Sequence, residues 1–355
     1  MLVVSYGKDA AKNTHDALAA SDISSYLRQG MSVAIKPNLV VPCPASDGAT
    51  THPEIVDGII RFIKDFGITD IKIIESSWVG DSTKRAFKYC GYSDLAQEHN
   101  IPLIDLKSDK TTSLECGGLR IDVCDEALKT DFLINVPVLK AHSQTRMTCC
   151  MKNLKGCIPD SEKRRFHTLG LHEPIAVLNL LLKTGYCVVD GICGDLSFEE
   201  GGNPVESNRI IAGRNPLTLD SYCAELIGCK PSEIGYISYG EKIGVGEYYS
   251  QKTELIELNA QNKPIRIPEL GRIAERFTEQ IDEAAACSAC YASLVFALDK
   301  LGNPRFANKI HIGQGFIGKS GDGFGVGNCA GGFEKSVPGC PPKATEIMDM
   351  LIGSS

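Results

Sequence analysis

The residues best suited to chemistry are four cysteines spaced Cys287-x2-Cys290-x38-Cys329-x10-Cys340, the last followed by Pro341 and Pro342. Two thiolates separated by two residues can reach one metal or cluster, because the chain turns or starts a helix between them. The others sit in Gly327-Asn328-Cys329 and Gly339-Cys340, where glycine lets backbone N–H groups approach sulfur. Pro341 suits the first turn of a helix starting near Lys343, which would set Cys340 against the positive end of the helix dipole. Four thiolates suit a 4Fe–4S cluster. Zinc is the alternative, although zinc sites usually pair two close doublets and only one is present. Free thiols are the third reading.

A second constellation lies far upstream. Lys36, Asn38, Thr51 and His52 follow one apolar strand and open the next helix. Lys140 and His142 follow another strand. Lys152, Asn153, Lys155, Lys163 and His167 come next, and Asp190 ends a further strand. In open α/β sheets, ligands bind beyond the carboxyl ends of strands, so these distant segments are expected to converge there. The expected catalytic candidates are Lys140, His142, Lys152, Lys155 and His167. Lys36, Asn38, Thr51, His52, Asn153 and Asp190 are the expected anion or substrate ligands, since several lysines with histidines favour a phosphate or carboxylate. Each has a plainer reading: a solvated lysine, a helix-capping histidine, an aspartate shaping a turn. The run from Lys140 to His167 is too long and too polar for a plain connection. Cys43, Cys149, Cys150, Cys157 and Cys193 lie near these motifs. They are either buried inert thiols or ligands of a second metal of unknown identity.

The elements that must hold these groups alternate between strand and helix. Met31–Ile35, Ile71–Ile74, Leu103–Leu106, Phe132–Val138, Tyr186–Val189 and Arg209–Ala212 read as strands. Ile55, Val56, Ile59, Ile60, Ile63 and Phe66 recur at helical spacing, with Thr51 as a candidate N-cap, Pro53 in the first turn and Gly67 as the stop. Lys84–Tyr89, Asp94–His99, Pro174–Lys183 and Leu217–Ile227 read as further helices. The pattern predicts an α/β fold: an open, mostly parallel sheet with helices on both faces. A polar stretch with Pro264 and Pro268, Asn259–Gly271, reads as a linker. It divides a main α/β domain (1–262) from a small C-terminal α/β iron–sulfur module (263–355). That module should contain a charged helix (Arg272–Ala285), an apolar helix (Leu294–Leu301), a strand (Lys309–Ile312) and a last helix (Ala344–Leu351). Gly313-Gln314-Gly315-Phe316-Ile317-Gly318 matches a dinucleotide fingerprint, but no helix opens after it, so it reads as a loop over the cluster.

Composition excludes several classes. Fifteen cysteines in 355 residues fall short of a disulfide scaffold, and adjacent Cys149 and Cys150 suit one poorly. A reducing cytoplasm is the expected setting. A net charge of −7 argues against sequence-independent nucleic-acid binding, and no apolar run is long enough for a membrane span.

Several motifs together resemble a known family. These are Ile35–Val40, Ala49–Pro53, Ile134–His142, Met151–Gly156, Val189–Ile192, Gly202–Pro204 and the helix carrying Asp220. They are similar to the uncharacterised iron–sulfur centre proteins catalogued as domain of unknown function 362, over about residues 30 to 245. The resemblance implies an α/β domain with a site built from these residues, and no particular reaction. Family members often carry a ferredoxin-type segment; the wider cysteine spacing here departs from it. Separately, Gly339-Cys340-Pro341-Pro342 resembles the cluster-binding stretch in small subunits of nickel–iron hydrogenases and respiratory NADH dehydrogenase.

The expected function is a cytoplasmic redox protein of an oxygen-poor setting. Its 4Fe–4S cluster would exchange electrons with an anionic substrate or an unidentified redox partner at the lysine-rich site. If it is an enzyme, it is an oxidoreductase. The alternatives are a metal-dependent, non-redox isomerase or racemase acting on an anionic hydroxy acid, and a non-catalytic electron carrier or scaffold. The isomerase alternative rests on Lys155-x3-Pro159 with His167 and His172, which resembles the lysine and histidine segment of nickel-pincer lactate racemase.

Overall fold

The computed structural model describes residues 1–353 apart from Arg266 and Asn303. Eight strands form the main sheet, in the order Leu255–Leu258, Leu2–Tyr6, Pro204–Gly213, Tyr186–Asp195, Phe132–Val136, Ser32–Pro37, Asp70–Glu75 and Leu103–Asp105. Only Pro204–Gly213 runs against the others, so the sheet is mostly parallel as expected. Successive residues of one strand enter opposite cores, because side chains alternate across a pleated sheet. Val33 and Ile35 pack with the helices Ala10–Ala19 and Pro53–Asp65 on one face. Ala34 packs with His172–Leu181 and Pro216–Leu226 on the other. Apolar side chains on both faces explain why these strands read as unbroken hydrophobic runs.

The C-terminal segment builds its own four-stranded parallel sheet, Ile281–Glu283, Ile310–Ile312, Gly321–Val326 and Phe333–Val337, with its own core. The helices Ser288–Lys300 and Ala344–Ile352 pack on it. The expected charged helix over Arg272–Ala285 does not form. A 3₁₀ turn, Ala274–Phe277, is followed by the strand Ile281–Glu283. Ile273, Phe277 and Ile281 have helical spacing, but Ile281 gains a parallel partner in Ile310, and tertiary pairing overrides the local pattern. The expected linker is anchored at its end: Leu270 N–H donates to Ile227 O and Gly271 N–H to Leu196 O. Arg266 of that linker lies outside the described residues.

Two cap assignments are corrected. His52, rather than Thr51, occupies the N-cap of Pro53–Asp65, because the Thr51 hydroxyl donates to Val136 O. Pro341 precedes the helix Ala344–Ile352 by three residues instead of lying in its first turn, so Cys340 is not at a helix start. The helix dipole serves the other pair. Cys287 is the N-cap of the 13-residue helix Ser288–Lys300, and Cys290 sits in its first turn.

Candidate functional site

One cavity of about 110 Å³ opens between the carboxyl ends of the main-sheet strands and the C-terminal segment. Its floor carries Lys36, Asn38, Glu75 and Asn153. One wall carries Lys152, Lys155, Lys163, Arg164 and His167, and its roof includes Cys287, Cys290 and Cys340.

The floor is a closed polar network. Lys36 leaves the end of its strand fully buried, and its Nζ donates to Glu75 Oε2 at 2.8 Å, Pro37 O at 2.9 Å and Asn153 Oδ1 at 3.3 Å. Glu75 also accepts from the backbone N–H of Leu39 and Ser76. Asn38 Nδ2 donates to Asn153 Oδ1, and Asn153 Nδ2 donates to Asn135 Oδ1. A buried charge pair of this kind needs every remaining lone pair satisfied, and here most are. Gly156 permits the arrangement: a Cβ there would lie 2.0 Å from Glu75 Oε1 and 2.6 Å from Lys36 Nζ.

The wall is cationic and incompletely paired. Lys152 donates to Thr148 Oγ1 at 3.1 Å and stands 4.0 Å from Glu199 Oε2. Burial, only partly offset by Glu199, lowers its pKa to about 7. Lys155 is lowered to about 8, again mainly by burial. Among the described residues it has no hydrogen-bond or ion-pair partner, only the Phe166 ring 5.9 Å away. Lys163 is tied to the backbone carbonyls of Ser76 and Ser77 and to Asp160. Burial, then Lys155 and His142, holds His167 well below the usual histidine range, and its Nδ1 is buried without a partner. Asn38 Oδ1 is likewise unpartnered.

Other predicted residues do not line this cavity. Lys140 is buried and donates to Ala49 O and Glu199 O. His142 Nδ1 accepts from the N–H groups of Gln144 and Thr145, which leaves the ring proton on Nε2. That Nε2 lies 2.6 Å from Glu199 Oε2 but off the line of a hydrogen bond. Burial lowers His142 to about 4. Burial alone would raise Glu199, but His142, Lys152 and Lys140 outweigh it and hold the carboxylate at about 2. His52 N–H and Nδ1 both meet Asp190 Oδ2, fastening a helix start to a neighbouring strand. Thr51 bridges Asn38 N–H and Val136 O.

The sequence reading missed Glu75, Trp78, Arg164 and Glu199. Glu75 ends a parallel strand, which is a readable signal. Glu199 had none, since an acidic pair before glycines looks like a solvated turn.

The four C-terminal cysteines face one another. Burial and then the charge of its neighbours Cys287, Cys340 and Cys329 push Cys290 up to about 12. Asn328 Oδ1 accepts from Gly339 N–H, tying the turn of Cys329 to that of Cys340. No three of the four sulfurs lie mutually within 4.8 Å. A single zinc ion with Zn–S bonds of ~2.3 Å draws its sulfurs to roughly 3.8 Å apart. As a donor set, four thiolates within electrostatic reach of one another suit an iron–sulfur cluster or a single zinc ion. The five cysteines grouped by sequence do not assemble. Cys43 and Cys193 interact with local loops, and Cys157 lies near Lys36 and Glu75. Cys149 and Cys150 lie together.

The family described as a domain of unknown function (DUF362) matches residues 33–225. A "thylakoid-associated protein" of Synechocystis sp. is 24% identical over 247 residues, covering 65% of this chain and 74% of its own. The apoprotein of lactate racemase from Thermoanaerobacterium thermosaccharolyticum aligns with a TM-score of 0.40 and 12% identity, over 68% of this chain and 57% of that one. A Thermotoga maritima protein aligns at 0.37 and 10%, over 52% and 51%. The chain thus spans little more than half the length of these solved structures, and at such scores neither bears on function. No described helix is long and apolar enough to cross a membrane.

Proposed function

Because this chain belongs to the DUF362 family, whose name specifies no reaction, we propose a function from its own geometry: an iron–sulfur redox protein acting on a small anion. Cys287, Cys290, Cys329 and Cys340 would hold a 4Fe–4S cluster in a C-terminal module beginning near residue 263. The observation that carries the reading is that three of these cysteines and the lysine-rich wall line the same cavity.

When bound, such a cluster supplies or accepts single electrons. The chain's own residues do the rest. Lys155, half-buried and unpaired among the described residues, attracts the anion; Arg164 at the rim adds charge. Lys152, with its pKa near 7, can hold or release a proton at Nζ close to neutrality, as a general acid or base requires. Ionised Glu199 keeps that ammonium from being repelled by Lys155. Neutral His167 offers a hydrogen bond without adding charge. The Lys36–Glu75 pair fixes Asn153 and Asn38, whose free Oδ1 accepts a donor from the bound molecule.

Purification without oxygen, iron and sulfide analysis, and electron paramagnetic resonance of the reduced protein test the reading. About four irons per chain and a spectrum lost on replacing Cys287 and Cys290 by serine are expected. Zinc with no iron in these thiolates would overturn it.

A further inference from the structure

Beneath the cavity floor, four buried sulfurs and a buried carboxylate come together away from the C-terminal cysteines. Cys149 is the N-cap of the short helix Cys150–Asn153, which carries Lys152 and Asn153 and runs into the 3₁₀ turn that carries Lys155. The sulfurs of Cys149 and Cys150 are 3.9 Å apart. Asp220 projects from the helix Pro216–Leu226, and one of its oxygens and both sulfurs lie within 4.8 Å of one another, all fully buried. Cys223, three residues on and therefore on the same helix face, reaches Cys149, and Cys187 reaches Cys150.

We propose that Cys149, Cys150, Asp220 and Cys223 form a closed four-ligand site for a thiophilic d¹⁰ cation, zinc by preference, that fastens the short cavity-lining helix Cys150–Asn153 to the helix Pro216–Leu226. The ligands come as two short-spaced pairs, Cys149-Cys150 and Asp220-x2-Cys223. The sulfur separation of 3.9 Å matches the roughly 3.8 Å that two Zn–S bonds of ~2.3 Å subtend in a tetrahedron. The carboxylate is already aimed: Oδ1 accepts from Cys150 N–H at 2.7 Å and Oδ2 from Met151 N–H at 3.0 Å. Each oxygen retains a lone pair for the ion. A fully enclosed carboxylate without a cation nearby is costly, and a bound ion removes that cost. Four protein ligands leave no open position, so the ion is structural. Copper(I) satisfies the same soft sulfur donors and is the competing occupant. The inference does not depend on the iron–sulfur reading, since the two ligand sets share no residue.

The full-length chain, purified without oxygen, is analysed for zinc and copper beside iron. Zinc-edge X-ray absorption then reads the ligands directly. About one zinc per chain is expected, with three sulfurs at ~2.3 Å and one lighter atom. It should persist when Cys287, Cys290, Cys329 and Cys340 are all serine, and fall at least tenfold in Cys149→Ser/Cys223→Ser. Should the quadruple variant not fold, the sulfur count on the unaltered chain still separates this set from an all-cysteine site. Copper in the same coordination changes the occupant and keeps the site. The proposal is overturned if the chain holds neither metal and takes up no added zinc. It is equally overturned if the zinc shows four sulfurs, or if the double variant retains it.

Discussion

Replacing Lys36 by methionine isolates the central pair of the cavity floor. The two side chains have similar length, so the change removes charge and hydrogen bonds more than volume. Three contacts are lost, to Glu75, Pro37 O and Asn153. Glu75 is left only 3% exposed with two backbone donors, Leu39 N–H and Ser76 N–H. Breaking a buried ion pair on one side costs ~3–5 kcal/mol. The two retained donors place this case at the lower end, about 3 kcal/mol. Adding Glu75→Gln removes the stranded charge, and the double variant should lose only about 1–2 kcal/mol, the cost of unmade hydrogen bonds. Urea unfolding followed by far-ultraviolet circular dichroism measures both. A single variant destabilised by less than about 1 kcal/mol, or a double variant as unstable as the single, would refute the assignment of a desolvated charged pair.

Further outcomes can be measured at the same site. Gly156→Ala, which drives a methyl into Glu75 and Lys36, should cost about 1–3 kcal/mol in the same unfolding assay. The only tryptophan, Trp78, lines the cavity, so its fluorescence should report phosphate or a small carboxylate titrated into the protein. Lys155→Ala should weaken that binding about tenfold, the cost of one charged hydrogen bond. Affinity should also fall as pH rises through about 7, where Lys152 loses its proton. Stability moves the other way. Unfolded Lys152 stays protonated up to roughly 10.4, so between about 7 and that value the unfolded chain binds more protons and this group's contribution rises with pH. A titration of anion affinity and urea midpoint over that range checks both signs. Intact mass of natively isolated protein should show unmodified Lys152 and Lys155; an adduct on either would favour the non-redox isomerase.

Much of the frame was legible because parallel strands buried on both faces write themselves as apolar runs, and helices such as Pro53–Asp65 repeat at 3.6 residues. What escaped was decided between distant segments. The strand Ile281–Glu283 exists because Ile310–Ile312 is beside it, and nothing local announces that. The short hairpin of Lys140–His142 with Arg146–Thr148 has too few residues to show a period. The site's cations were readable from type and position, but their roles were not. Lys36 and Lys155 look alike in sequence; one is locked to Glu75 and the other is left unpaired. His52 and Asp190 were each legible as a polar group beside a strand or helix end, but their pairing with each other was not, and it does not line the cavity. Glu199 became visible only through the three cationic or basic groups around it.

The cavity takes its floor from early in the chain and its roof from the end, and the two are latched by Gln144, whose Nε2 donates to Ala286 O and whose Oε1 accepts from Ser288 Oγ. This gives the site a birth order. Once His167 has been made, 340 − 167 = 173 residues, Cys340 included, are still to be added before the roof is complete. At ~5–20 residues per second, a ribosome needs roughly 10–30 s to supply them. During that interval Lys152 and Lys155 lack the Cys287, Cys290 and Cys340 side of their cavity. The roof that closes over them is the last part of the site to be made, so the nascent protein carries this cationic wall before its cover exists.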